Sequence, residues 1–377
     1  MKKAAVSILM ALVLMLALSP ARASEQVTYL SQPEQATIFL NNVAFVHDAL
    51  TLGGNAAVQI ILPDQIFQDT LILRENGERV PDYSISRASG KVTLQVPPSS
   101  AATRNLTLDY LASGLSWKPD YDMQFSEGSS NVDLAFFAEI DNSAFTLDNV
   151  EVTLAAGRVD TTQQVDQNAA ITANQYIAGY DTSGTGGQLV PGAVTIQHQY
   201  TLGKVTAAPG DTLYTKVLAK TFPARRVLLW NAQTDQRVSV IYKVKNDSDM
   251  ALAEGIVRSY QDNLFVGSDF IEFTPEGSEG SVTVGSLPDV RVNRSESLSA
   301  VQRVFGNADT QHQVTLTMSN FGSTDVQIEV VDTWNAEAVD FAFSQEPQRD
   351  AGNLFRWTVT IPAGQTVTIT YEFKAPS

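Results

Sequence analysis

The sequence predicts an all-β chain of several antiparallel, β-sandwich-like domains behind a cleaved signal peptide. Three observations lead there. Short runs rich in Val, Ile, Thr, Phe and Tyr recur along the chain, many with alternating polar and apolar positions. Turn residues punctuate them, including Gly53-Gly54-Asn55, Asn76-Gly77 and Ser89-Gly90. Beyond the N-terminus, no window longer than about ten residues follows a helical period. Many short strands at even spacing favour packed sheets over a parallel α/β layer.

The N-terminal segment is the most legible. Met1-Lys2-Lys3 is a basic start, residues 4–18 are apolar apart from Ser7, and Ser19-Pro20-Ala21-Arg22-Ala23 supplies a helix break and an A-x-A cleavage signal. The apolar run is shorter than the roughly 20 residues that span a bilayer. Residues 1–23 are therefore expected to be a signal peptide. No cysteine follows the run to take a lipid.

Residues 24–98 read as a small N-terminal β domain, with strands expected at 35–40, 42–49, 57–62, 70–74, 83–86 and 91–96. Pro97-Pro98-Ser99-Ser100 is the expected boundary. A second β region, residues 99–377, opens with strands at 104–111, 131–141 and 148–155. Residues 160–192 are rich in Gln, Asn, Thr and Gly and are expected to form a long flexible loop. Strands resume at 195–201, 211–222, 226–231, 237–246, 252–261, 270–273 and 280–285, and close with 313–320, 325–333, 354–361 and 365–373.

Composition removes several function classes. The 377 residues include 25 Lys and Arg against 41 Asp and Glu, a net charge of -16. Such a chain repels phosphate backbones, so nucleic acid is not an expected partner. With no Cys there is no disulfide, thiolate nucleophile or Cys-ligated metal.

At Ala112-Ser113-Gly114-Leu115-Ser116-Trp117-Lys118-Pro119-Asp120-Tyr121-Asp122 the chain resembles the mucoidy-inhibitor-like family, which carries domain of unknown function 4139. The likeness continues in order through residues 146–155, Phe222-Pro223-Ala224-Arg225-Arg226-Val227 and Gly255-Ile256-Val257-Arg258-Ser259-Tyr260. It extends to Thr274-Pro275-Glu276-Gly277, residues 285–292, Arg356-Trp357 and Pro362-Ala363-Gly364. The resemblance implies an all-β, envelope-associated protein with no established catalytic residues. Many members carry a long coiled coil between their two parts. Here a short link replaces it, which argues against a role for a projecting helical hairpin.

Candidate sites are few. His47, His198 and His312 are far apart in sequence and lack metal-ligand spacing. No nucleophile elbow, P-loop or dinucleotide glycine pattern is present. Asp120, Asp122, Asp141 and Asp148 could form a hydrolytic carboxylate pair, but they also suit strand starts and turn caps. Asn246-Asp247-Ser248-Asp249 with Glu254 has oxygen ligands at calcium-like spacing, yet it reads first as a β-turn. Trp117, beside Pro119 and Tyr121, suits a structural anchor of the second β region, with a sugar-stacking platform as the alternative.

The reading is a non-catalytic extracytoplasmic binding or assembly module of the cell envelope, with no cofactor. Its partner would be an envelope component or extracellular polymer, and the mature chain would not span the membrane. The alternatives are a carbohydrate-binding β-sandwich protein and a hydrolase whose carboxylate or His site shows no motif. Export carries a direct expectation: N-terminal sequencing of the mature protein starts at Ser24, and a start at Met1 removes the signal-peptide assignment.

Overall fold

The computed structural model describes residues 26–53, 56–88, 90–158, 198–301 and 309–376. The expected signal peptide and the expected loop at 160–192 lie outside them. Among the described residues the structure is all-β and divides into two compact units, confirming the multi-domain β architecture. Among the described residues the only helix is a single 3-10 turn, Gln68–Thr70. No described helix is long and apolar enough to cross a membrane.

In chain order the strands are β1 Gln26–Leu30, β2 Gln35–Phe39, β3 Val43–Gly53, β4 Ala57–Leu62, β5 Ile72–Glu75, β6 Glu78–Arg79, β7 Ser84–Ala88 and β8 Lys91–Val96. There follow β9 Thr103–Ser113, β10 Leu115–Phe125, β11 Asn131–Asn142, β12 Leu147–Ala156, β13 His198–Ala207, β14 Thr212–Asn231, β15 Arg237–Lys245 and β16 Gly255–Gln261. The last are β17 Leu264–Ile271, β18 Glu279–Val301, β19 Asp309–Asn320, β20 Val326–Thr333, β21 Val339–Phe343, β22 Gln348–Asp350, β23 Leu354–Ile361 and β24 Thr366–Pro376.

One unit draws on Met1–Trp117 and Ile140–Leu213, the other on Lys118–Glu139 and Tyr214–Ser377. The first contains a four-stranded sheet, β1-β4-β8-β7, and a seven-stranded sheet, β13-β12-β2-β3-β9-β5-β6. Alternate residues of β4 and β8 are buried, namely Val58, Ile60, Leu62, Val92, Leu94 and Val96, as a period of two requires of a half-buried strand. Pro97-Pro98-Ser99-Ser100 joins β8 to β9 inside this unit, and the compact units divide elsewhere. The reason is non-local: β9 forms an antiparallel ladder with β3 from Val43↔Ser113 to Gly53↔Thr103. A buried ion pair reinforces the same sheet. Arg104, 1% exposed, donates to both Glu75 oxygens at 3.1 and 2.8 Å and to the Ala56 carbonyl.

The second unit is built on the sheet order β17-β16-β10-β11-β14-β15-β18-β19-β24-β21, with β20, β22 and β23 attached to it. Its C-terminal core packs Trp230, Leu316, Val330, Phe355, Trp357 and Tyr371 together. Each buried indole N–H finds a carbonyl, Trp230 that of Asp235 and Trp357 that of Gln345, both at 2.9 Å.

Three strands run longer than the residue pattern suggests, because prolines read there as strand ends. Pro119 lies inside β10, and the parallel ladder to β16 begins at the next residue with Asp120↔Ile256. Pro223 lies inside β14, and its ladder to β15 begins at Ala224↔Val244. Pro288 lies inside β18, two residues before the β19 ladder begins at Val290↔Asn320, and the β15 ladder ends just beyond it at Arg237↔Arg291. In the first two cases the proline stands immediately before the named ladder begins.

Trp117 is 2% exposed and falls at the end of the first segment of the first compact unit. Its Nε1–H donates to the Ala155 carbonyl at 3.0 Å, and its ring meets Tyr200 edge-on at 5.7 Å. Burial there pushes the Tyr200 phenol up to about 12. Gly114, at φ +103°, makes the reversal that delivers Trp117, and a Cβ at that position would collide with Ala144. Trp117→Ala is expected to destabilise the first unit by about 3–5 kcal/mol through the cavity and the orphaned Ala155 carbonyl. Thermal melting checks this, and an unchanged melting temperature contradicts it.

Candidate functional site

The family-like segment supplies one strand of the most distinctive surface. Along β10 the period of two sends Tyr121 and Met123 inward and Asp120, Asp122 and Gln124 to the other face. Tyr121 is fully buried, stacks on Phe136 at 4.7 Å and donates its hydroxyl to the Ala253 carbonyl at 2.7 Å. Pro119 is also buried, and Gly255 lies directly against it: a Cβ on Gly255 would stand 2.6 Å from the Pro119 oxygen. This contact seats the first residue of β16 beside β10.

Parallel pairing then sets Asp120 beside Ile256 and Asp122 beside Arg258. The Arg258 guanidinium bonds both carboxylates, through NH2 to Asp120 and through Nε to Asp122 at 3.3 Å. Partial burial alone would disfavour its charge, but the hydrogen bonds and charges of Asp120 and Asp122 prevail and raise its pKa. The same face continues across β16 onto β17. Ile256 pairs with Phe270 and Tyr260 with Phe265, whose rings meet edge-on at 5.6 Å. Ile256 is 53% and Phe265 55% exposed, and Phe270 and the neighbouring Leu264 are exposed as well. The result is a buttressed ion cluster fringed by uncovered apolar side chains.

The other sequence candidates fall elsewhere. Asp141 accepts the Thr212 hydroxyl at 3.0 Å. Asp148 lines an open acidic groove in the first unit with Glu34, Asp48 and Glu151, opposite Lys204. Asp48 itself accepts from the Ser31 hydroxyl at 2.5 Å and the Gln32 N–H at 3.0 Å, while burial raises its pKa. Asn246 is fully buried and serves its own turn. Its Nδ2 donates to the Met250 and Thr274 carbonyls, and its Oδ1 accepts from Ser248. Lys220 bonds the backbone oxygen and carboxylate of Asp247. Among the described residues no cluster of three or more His, Asp or Glu is arranged to hold a metal.

Two histidines join carboxylates. His47 Nδ1 lies 2.7 Å from Asp109, which also bonds Arg74. His312 Nδ1 lies 2.6 Å from Glu296 and its ring stacks on Phe373 at 4.4 Å. From Glu296 a chain of bonds runs inward. Arg294 donates to Glu296 at 2.7 Å and to buried Asp332 at 3.0 Å, and Tyr371 donates its hydroxyl to Asp332 at 2.8 Å. Period-two spacing on neighbouring strands creates this chain, and only the ladder Glu296↔Val314 and its neighbours bring its members together. The sequence held no local sign of it.

Burial raises the pKa of Glu296, but hydrogen bonds from His312 and Arg294 outweigh it and hold the carboxyl below its ordinary 4.5. The folded state therefore releases this proton more readily than the unfolded state. The resulting stability is present above about pH 4.5 and is lost as pH falls through the depressed folded value. Glu296→Gln is expected to lower the melting temperature at neutral pH, with the difference from wild type shrinking in acid. A difference constant from neutral pH to below pH 4 would contradict this ionic role.

A sequence model of the domain of unknown function (DUF4139) matches residues 106–376. Comparison with curated proteins gave no match.

Proposed function

Since the chain belongs to the DUF4139 family over most of its length, we propose that it is a non-catalytic binding or assembly module working outside the cytoplasm, in the cell envelope. The observation that carries the reading is the exposed face formed by Ile256, Phe265 and Phe270 around Arg258. Isolated exposed apolar residues are ordinary, but a group of them on one face around an arginine has the composition of a protein interface. The ion cluster keeps that face rigid, because Asp120 and Asp122 both hold the arginine that lies among the apolar side chains.

Two features favour a protein partner over a sugar. The rings that stack best on sugars lie in the core: Trp117, Trp230 and Trp357 are each at most 2% exposed, and Trp334 stacks on Phe355 at 4.0 Å. The exposed rings of this face, Phe265 and Phe270, are phenylalanines, which carry no polar handle. Of the four candidate hydrolytic carboxylates, Asp120 and Asp122 are bound to Arg258 and Asp141 accepts a hydroxyl, while Asp148 lines the acidic groove of the first unit. The basic, apolar start of the chain and its A-x-A signal support export.

Immobilised protein incubated with solubilised envelope material is expected to retain a defined partner. The double variant F265S/F270S is expected to lose it with an unchanged melting temperature. Equal capture by both proteins would remove this face from the function.

A further inference from the structure

The apolar face of the β16–β17 hairpin has a charged flank, and the flank bears on what kind of partner the face fits. The hairpin register jumps between Ser259↔Gly267 and Tyr260↔Phe265, leaving Val266 as an extra residue. This bulge turns Phe265 onto the face of Tyr260, which pairs in turn with Gln124 of β10. Next to the apolar side chains, β10 therefore presents Asp120, Asp122 and Gln124 on the same face. One guanidinium serves both carboxylates, and Asp122 stays 38% exposed.

Two grooves of this unit meet along β10. One, of about 330 Å³, is lined by Asp122, Gln124, Asp133, Ala135 and Lys220. The other, of about 440 Å³, shares Gln124 and Asp133 with it. It runs on past Ser126 and Asn131 to Asp262 and Asn263, the turn that joins β16 to β17. Together they form a channel from Asp122 to the foot of the apolar hairpin. Hydroxyls hold its carboxylates in place: Thr221 donates to Asp133 at 2.5 Å and Ser126 to Asp262 at 2.7 Å. The lining lysine, Lys220, is turned to Asp247, with 2.8 Å to its backbone oxygen and 3.0 Å to its carboxylate. Among the described residues neither Asp133 nor Asp262 has an ion pair. The channel thus carries two uncompensated negative charges, and Asp122 adds a third that shares its cation.

The apolar stripe and the acidic channel together select the occupant. These carboxylates do not converge on one metal ion, since no three His, Asp or Glu among the described residues are so arranged. An anionic lipid surface would be repelled. A second copy of the chain would bring the same carboxylates to the interface, like charge against like. Complementary chemistry is a Lys or Arg beside apolar side chains, whose aliphatic stem lies along apolar surface while its head reaches a carboxylate. We propose that this face takes a polypeptide segment of a partner protein in which Lys or Arg stands next to apolar residues. The apolar groups cover Ile256 and Phe265, and the cationic heads enter the channel at Asp122, Asp133 and Asp262. This rests on the binding-module reading and names the chemistry of its partner.

The test is to pan a random-peptide phage library against the full chain and to measure the strongest peptide by fluorescence anisotropy. The expected peptides carry Lys or Arg beside apolar residues. Replacing those cations by Gln should weaken binding by at least about tenfold, a difference that disappears at about 1 M salt, where the screening length is about 3 Å. The variant D133N/D262N keeps side-chain size and an acceptor oxygen at both positions, and Asn suits the φ of +51° at residue 262. It should lose about the same tenfold for the cationic peptide, bind the Gln peptide as wild type does, and melt as wild type does. Carbodiimide coupling of a peptide lysine should map to Asp122, Asp133 or Asp262, a readout that needs no variant. No enriched peptide, enriched peptides without Lys or Arg, affinity indifferent to D133N/D262N, or coupling only to other carboxylates would overturn the proposal. Partner capture that depends on Phe265 and Phe270 would still stand in that event. Peptide binding that falls in D133N/D262N but not in F265S/F270S would instead overturn the apolar face.

Discussion

The close seating of Gly255 against Pro119 fixes the register of β16 on β10, and the outer and inner faces of that sheet follow from it. With Gly255 at Pro119, Ile256 falls beside Asp120 and Arg258 beside Asp122. A slip of one residue would turn Arg258 into the core and Val257 out of it. The same register carries Tyr121 inward to the Ala253 carbonyl, a contact between groups 132 residues apart in sequence. One backbone approach, possible only without a side chain on residue 255, therefore determines where the charge cluster lies, which apolar residues remain uncovered and what sits beneath the bulged hairpin.

Electrostatics then sorts the chain. Anionic groups far outnumber cationic ones, so a well-placed arginine is a scarce resource, and three of them bridge two carboxylates each. Arg258 holds Asp120 and Asp122, Arg294 holds Glu296 and Asp332, and Arg356 holds Asp350 and Glu329. Each joins different strands, Arg258 across 136 residues of sequence to Asp122, so the guanidiniums act as cross-links in a chain with no cysteine. The planar fork suits this use, and lysine would not reproduce it. The surplus of carboxylates over cations favours solubility.

Much of the architecture was legible because strand signals are local. The β class, the turn at Gly114 and most strand positions follow from residue alternation and turn chemistry. The strand through Trp117 and Tyr121 was not, because Pro119 reads as a stop, and nothing local shows that it sits one residue before a ladder begins. The division into units was hidden for a related reason: β9 returns to β3 and β12 lies parallel to β2, pairings that no local pattern encodes. Asp120 and Asp122 were visible as candidates, but Arg258, their shared partner, is 136 residues beyond Asp122. The apolar face escaped notice because Phe265 lies in a hairpin arm whose bulge breaks the alternation that would have marked it.

β18 has a mechanical consequence. Its 23 residues form one unbroken strand that is bonded first to β15 and then, past Pro288, to β19. Antiparallel ladder bonds stand perpendicular to the strand, so tension applied along β18 shears many of them together. Tension applied across it would open them one at a time. The strand thus behaves as a tie rod between two ladders, stiff along its length and weak to peeling at its ends. In a protein without covalent cross-links, resistance to pulling would depend on the direction of the load.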